Sequence, residues 1–501
     1  MTNEGLVYLV NAGNDSGMAS IANDHCFPAL SVLALGTWLD EKISGIQVVA
    51  RDGGVMPQEE ILQDIQQRKP KVVGVSVLCS SYKNSLEIVQ CAKENGAYTI
   101  LGNDQAAQLS HEILDNRPYV DFVLGSEYGE APLELLVRHL QGEPITLGEI
   151  PDLTFRAGAN TEGFQYDRDK AQLAITKSKA YAQSSRMNAL DVFPVVDRSL
   201  FPDSHWEAYL KKYLEKFSWL HPDEEITGVT TMNRARGCSR GKQSDKCNFC
   251  DMLLDVSFST PERFWEEVES ANKQVNANVF YEVCDSFSSF PKLVEQIVEK
   301  RPNLDFNPNF FVYAQARELV NNPKLVGLFK ELGVFRVNMG LESGSNVTLQ
   351  HMKGPNDNVK SNYRALNMLQ DAGIHGYTSF VLGCDAETPT TLQETVGWAK
   401  KIIDEKLVVD VSAQPIVPLP QNVLGKKLIA SGLLPESMRQ TDWPWDVDRL
   451  SEIYIEKFSG VSYNSVLEAA REIREYAKEK RIGWGSGASM ESNYNQKEIN
   501  V

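Results

Sequence analysis

The stretch NRARGCSRGKQSDKCNFCDM, residues 233–252, decides how the rest of the chain is read. It gathers Cys238, Cys247 and Cys250 into one loop, directly after an apolar strand pattern, TGVTTMN (227–233). Three thiolates from one loop can bind three irons of a [4Fe-4S] cubane and leave the fourth iron without a protein ligand, open to a small chelating molecule. A fourth cysteine would close that position. The competing reading is a structural zinc, which needs four ligands. No second Cys pair or His pair follows at a useful spacing, so zinc would need a fourth ligand from elsewhere in the chain. The other five cysteines, Cys26, Cys79, Cys91, Cys284 and Cys384, stand alone in apolar surroundings, as small buried groups do. This is no disulfide framework. It fits a reducing, cytoplasmic compartment and a metal or redox site.

Outward from the loop, strand and helix patterns alternate. Towards the C-terminus the strand patterns are NVFYEVC (278–284), NFFVYA (309–314), FRVNMG (335–340), YTSFVLG (377–383) and VVDVSAQ (408–414). Helical patterns lie between them, such as LVGLFKELG (325–333). With the strand before the cysteines this makes six β/α units, an incomplete (β/α) barrel whose site lies at the C-terminal strand ends. Towards the N-terminus a second alternating array occupies the first part of the chain. Its strands are LVYLVNA (6–12), IQVVARD (46–52), VVGVSVL (72–78), AYTILG (97–102) and DFVLG (121–125). Such alternation implies a parallel sheet covered on both faces, with ligands at the carboxyl ends of the strands. Residues 141–226 break the rhythm: GEIPDLTFR reads as the start of a short hairpin, prolines punctuate a linker, and one helix spans about 206–217. The expected organisation is a Rossmann-like domain over 1–145, a linker over 146–225, a partial barrel over 226–420 and a mainly helical region over 421–501.

The 501 residues are 42% hydrophobic and 23% charged, the composition of a globular chain with a large core. A net charge of −17 argues against nucleic acid as partner, because a phosphate backbone requires a basic surface. No apolar run is long enough to cross a bilayer, and the N-terminus lacks the pattern of a secretion signal.

Over most of residues 5–425 the chain resembles the cobalamin-binding radical S-adenosylmethionine (SAM) proteins. That family usually has three residues between the first and second cysteine; here eight intervene, SRGKQSDK (239–246). The resemblance implies that Cys238, Cys247 and Cys250 hold a [4Fe-4S] cluster and that SAM chelates the open iron. It places Phe249 near the adenine, where the competing reading is a core residue. NMGLESGS (338–345) looks like the family segment whose glutamate, here Glu342, approaches the SAM ribose; otherwise it is an ordinary strand-to-helix turn. YAQARELV (313–320) is similar to the segment that brings Arg317 to the site, though Arg317 also suits a solvated helix. EVCDSFSSF (282–290) lacks the Gly-Gly-Glu of many radical SAM proteins, and Asp285 is the nearest substitute for its glutamate, with a helix-capping aspartate as the bland reading.

KPKVVGVSVLCSSY (69–82), ILGNDQAA (100–107) and DFVLGSEYGEAPLELL (121–136) match the family's first domain in order and spacing. The resemblance implies that Ser76, Gly102, Asn103, Gly125, Ser126 and Glu127 border a cobalamin. The D-x-H-x-x-G motif that ligates cobalt through histidine is missing; His25 follows Asp24 directly. Where the family usually shows Gly-Gly-x-His, this chain has Gly102-Asn103-Asp104-Gln105.

These features lead to the expectation of a cobalamin-dependent radical SAM methyltransferase acting on an unactivated carbon of a small molecule or natural-product intermediate. One SAM would methylate the corrinoid; a second, split by the cluster with electrons from a donor such as flavodoxin or ferredoxin, would activate the substrate. The alternatives are radical chemistry without methylation (rearrangement, cyclisation or transfer of another part of SAM) and, in a different class, a non-catalytic cobalamin- or metal-binding sensor. The long loop, with Arg240, Lys242 and Lys246 against Asp245, reads either as a solvated surface loop or as a basic contact for an anionic substrate or reductant protein.

Overall fold

The computed structural model describes residues 3–15, 26–125, 128–156, 189–240, 246–251, 256–435 and 446–480. Two parallel sheets carry the fold. The first is built from β1 (Asn3–Asn11), β2 (Gln47–Asp52), β3 (Pro70–Ser76), β4 (Tyr98–Gly102), β5 (Phe122–Leu124) and β6 (Leu153–Phe155), in the order β2-β1-β3-β4-β5-β6. The apolar alternation of β1 explains its two-sided burial. Leu6, Tyr8 and Val10 pack with Ile61, Ile65 and Ile88 of the helices Gln58–Arg68 and Tyr82–Glu94, while Val7 and Leu9 pack with Leu33 and Leu133 of the helices Leu30–Lys42 and Glu130–Leu140 on the other face. Connections depart in opposite directions from β1 and β3, which makes their carboxyl ends the topological switch point of a doubly wound sheet.

Of the hairpin expected at GEIPDLTFR and the stretch after it, the described strand is β6, which runs antiparallel to β5 with Phe122 opposite Phe155; the following stretch, 157–188, lies outside the described residues.

The second sheet contains β7 (Val229–Met232), β10 (Val279–Glu282), β11 (Asn309–Tyr313), β12 (Val334–Glu342), β13 (His375–Leu382) and β14 (Asp410–Pro415), all parallel, in the order β14-β13-β12-β11-β10-β7. This is the six-unit partial barrel. Between β7 and β10 a two-stranded clasp, β8 (Ala235–Arg236) with β9 (Ser257–Phe258), brackets the cysteine loop. On β12, Val337, Met339 and Leu341 enter the core between strands and helices, so Arg336, Asn338, Gly340 and Glu342 face the barrel interior. The lower interior is filled from outside the barrel: Phe27 and the helix Asp203–Phe217 bring Tyr213 and Phe217 against Tyr281 and Phe311. The helix Tyr463–Glu479 covers β14, where Arg474 donates to the Ala413 carbonyl. No described helix is long and apolar enough to cross a membrane.

Candidate functional site

The three clustered cysteines sit at the C-terminal mouth of the barrel, on a loop braced at both ends. At its start Gly237 takes a φ of +91°, a conformation that favours glycine, and its N–H donates to Asp285 Oδ2 at 3.0 Å. Next to it, Gln315 Nε2 approaches Cys238 Sγ at 3.6 Å. At its end the Cys250 N–H closes a turn on the Cys247 carbonyl at 3.2 Å. Two helices staple that turn. The Asn248 N–H donates to the Met352 carbonyl and its side chain to the His351 carbonyl, both at 2.9 Å. From the other side Val423 N–H reaches the Asn248 carbonyl and Asn422 Nδ2 the Phe249 carbonyl. Phe249 is half-buried against the main core. All three cysteines are partly exposed; Cys26, Cys91, Cys284 and Cys384 are buried as expected, whereas Cys79 is partly exposed and corrects that expectation. Burial raises the Cys238 and Cys247 thiols, and at Cys247 the Lys353 and Arg240 charges oppose it. Among the described residues no three His, Cys, Asp or Glu side chains converge on a single ion.

Asp285 thus braces the loop rather than capping a helix. The segment after it does something the sequence reading missed. Ser286, Ser288 and Ser289, together with Ser239 of the cysteine loop, all donate to the carboxylate of Glu318 (3.1 Å from Ser286 and from Ser289, 3.3 Å from Ser239). A carboxylate receiving several hydroxyls is a rigid anchor. The crowding of serines in DSFSS was the available signal.

Arg317 and Arg240 converge on one buried acid, Asp357, at 3.6 and 3.1 Å. The basic-loop reading is therefore corrected at Arg240. It is 3% exposed, paired with Asp357, and also donates to the Lys353 carbonyl, because a guanidinium with two fixed acceptors beside the barrel wall is better buried than solvated. Lys242 and Asp245 lie outside the described residues. Glu342 ends β12 in a left-handed conformation, φ +61°, with its carboxyl folded back over Gly340, where a Cβ would collide with it. Burial pushes that carboxyl up, and Lys353, 3.4 Å away, pulls against the shift.

At the carboxyl ends of the first sheet, Ser76, Gly102, Asn103 and Gly125 lie on adjacent strands or just beyond them. Asn103 has φ +86°, so the position keeps the backbone of a glycine using a residue that tolerates it. Its Nδ2 reaches Ser76 Oγ at 3.5 Å. A Cβ on Gly102 would meet nothing nearer than 3.8 Å, whereas one on Gly125 would meet Ala107 Cβ at 2.9 Å. Leu78, just past β3, is 47% exposed, an apolar surface on the same face. Ser126, Glu127, Asp24 and His25 lie outside the described residues.

This face meets the cysteine loop directly. Gln108, in the helix following β4, donates to Asp251 beside Cys250 at 2.7 Å. Glu130, beyond β5, pairs with Arg236 two residues before Cys238 at 2.5 Å, and Arg236 lies over the rings of Tyr128 and Phe193. Tyr128 shares a hydrogen bond with Ser257 of the clasp at 2.7 Å. Both ends of the cysteine loop are tied to the strand ends of the other sheet.

Residues 232–399 match the family model of the radical SAM superfamily. Two curated relatives, both anaerobic magnesium-protoporphyrin IX monomethyl ester cyclases, align with most of the chain. The one from Rubrivivax gelatinosus is 22% identical over 354 residues, covering 69% of this chain and 57% of its own length. The one from Cereibacter sphaeroides is 20% identical over 351 residues, covering 67% and 50%. The chain thus spans about half the length of these relatives. Among solved structures, the cobalamin-dependent SAM radical enzyme OxsB, with aqua-cobalamin and SAM bound, aligns over 92% of this chain and 57% of its own, at a TM-score of 0.57 and 18% identity. The radical SAM methyltransferase TsrM from Kitasatospora setae, with cobalamin and a [4Fe-4S] cluster bound, aligns over 86% and 78%, at 0.62 and 15%. At these identities the likeness is one of fold.

Proposed function

We propose that this chain, which carries a radical SAM domain, is a cobalamin-dependent radical SAM enzyme that methylates an unactivated carbon of a small molecule. The observation that supports this most strongly is the junction. Through Glu130–Arg236 and Gln108–Asp251, the strand ends of the doubly wound sheet close over the cysteine loop, so ligands of the two sheets would face each other. In this reading Cys238, Cys247 and Cys250 hold the cluster, and their partial exposure suits thiolates presented to iron at a barrel mouth. When bound, the cluster supplies the electron that splits SAM, and the corrinoid supplies the methyl group.

The chain's own residues do the positioning. Phe249 offers a half-buried ring beside the cluster, while Arg317 and Glu342 present charged groups at the mouth. Asp285 acts through the loop, by fixing Gly237. Ser76, Gly102 and Asn103, with the exposed Leu78, form a face of small and apolar groups that suits a large flat ligand; Gly125, Ser126 and Glu127 complete the proposed border. The electron donor would be a flavodoxin or ferredoxin.

The names of the curated relatives favour a second reading, in which the same machinery closes a ring or rearranges a skeleton without methyl transfer. Anaerobic reconstitution should give iron–sulfur and corrinoid absorption together, and dithionite should release 5′-deoxyadenosine from SAM. A protein that holds iron but no corrinoid would overturn the proposal. With SAM carrying a deuterated methyl group, label in the product supports methylation and its absence supports the second reading.

A further inference from the structure

Below the cysteine loop the interior face of the barrel carries polar groups, and beneath them a cation lies among aromatic rings. Interior residues of the four neighbouring strands β11 to β14, Tyr313, Gly340, Ser379, Ser412 and Gln414, are only partly buried, although the outward residues beside them are covered. Beneath them Asn338 is 2% exposed, and neither its Nδ2 nor its Oδ1 has a hydrogen-bond partner. Two residues further down the same face, Arg336 is 3% exposed. Its guanidinium lies 4.8, 4.5 and 4.7 Å from the ring centroids of Phe217, Phe311 and Tyr377. Among the described residues it has no carboxylate partner, and its Nε has no acceptor.

Aromatic faces attract a cation but offer no lone pair to an N–H. The cage therefore holds the charge in place and leaves the buried Nε–H without an acceptor, which is costly inside a protein. Several titratable groups beside it are held in their neutral forms. His375, the register partner of Arg336, has its pKa lowered by burial and by that charge. His221 and Tyr213 are likewise kept in their neutral forms by burial. Asp410, the register partner of Tyr377, turns one oxygen to the Val411 N–H.

We propose that the barrel interior is the substrate's place and that it takes an elongated carboxylic acid, with the carboxylate reaching the Arg336 Nε–H and a second polar group of the same molecule on the Asn338 amide. A planar fork of N–H donors matches a carboxylate better than any neutral group. Asn338 lies four strand residues, about 13 Å, below Glu342 at the mouth. The acid end is thus remote from the atom that reacts beside the cysteine loop, and a long molecule is required. This rests on the proposed radical SAM reading, because it takes the barrel to be the substrate's place.

The test uses the reconstituted protein with SAM and reads its melting temperature against hexanoate, octanoate and 4-phenylbutyrate, each beside its own primary amide. At least one acid should raise the melting temperature where its amide does not, since a ligand that binds the folded state stabilises it. Arg336→Met should abolish that difference, Arg336→Lys should keep part of it, and Asn338→Leu should reduce it. If no acid exceeds its amide, or if Arg336→Met keeps the difference, the proposal is overturned; a purely structural aromatic cage predicts one of those results. The wild-type comparison stands even if a variant fails to fold. Iron content and 5′-deoxyadenosine release, read in the same samples, report separately on the radical SAM reading.

Discussion

At the scale of single residues, the chemistry hangs on which cysteines are presented and which are buried. Replacing Cys238, Cys247 or Cys250 by Ala should abolish SAM cleavage and lower iron content, while Ala at Cys26, Cys79, Cys91, Cys284 or Cys384 should keep the cluster. Iron loss in Cys284→Ala or Cys384→Ala would refute the ligand assignment, because both lie buried away from the loop surface. The corrin face also has a decisive residue, and it is Gly102 rather than Gly125. A side chain at Gly125 would first strike Ala107, so corrin loss there would mix occlusion with misfolding. Gly102 has open space, and Gly102→Trp should expel the corrinoid with iron retained. Unchanged corrinoid absorption in that variant would place the ligand elsewhere. Sequence pattern made both glycines candidates alike; only Ala107, in the helix after β4, separated them.

Among elements, the long loop between the first two cysteines behaves differently from a solvated charge run. Arg240 anchors it to Asp357, which lies just before the helix Val359–Asp371. Removing one partner of a buried ion pair typically costs about 3–5 kcal/mol, because the other charge stays buried and alone. Arg317, at 3.6 Å from the same carboxylate, should soften that loss. Arg240→Ala should therefore lower the urea midpoint, and the double variant with Arg317→Ala should lower it further than the two single effects summed. An unchanged midpoint in Arg240→Ala would return the loop to the surface. The loop's net basic charge was legible in the sequence, but its partner is more than a hundred residues away, and no local pattern could reveal the pairing.

For the whole molecule, the helix Asp203–Phe217 and the turn after it lock the two sheets together through neutral histidines. His205 Nε2 accepts the Asp52 N–H from the end of β2, and His221 Nε2 pairs with the Tyr213 hydroxyl inside the barrel. Burial lowers both to about 4. Their folded values lie below the unfolded value near 6.5, so the unfolded chain binds more protons between those limits. The stability is full above pH 6.5 and is lost as pH falls towards 4, by up to ~3 kcal/mol for each group. The melting temperature should drop between pH 7.5 and 5, and should drop less in His205→Gln with His221→Gln. An equal drop in that variant would assign the acid sensitivity to other groups.

The two alternating arrays were legible in local pattern alone. Strand and helix periods alternate over both halves, and such periods arise from local pleat and turn geometry, so they can be read without knowing what packs on what. The cysteine spacing identified the candidate cluster for the same reason, since its ligands are neighbours in the chain. Relations between distant segments emerge only on folding: the antiparallel pairing of β6 with β5, the four serines around Glu318, the two ties from the first sheet to the cysteine loop, and the aromatic rings around Arg336. Each depends on which residues the folded sheets bring face to face. A buried charge acquires its meaning from the groups around it, and these come from strands and helices far apart in the sequence.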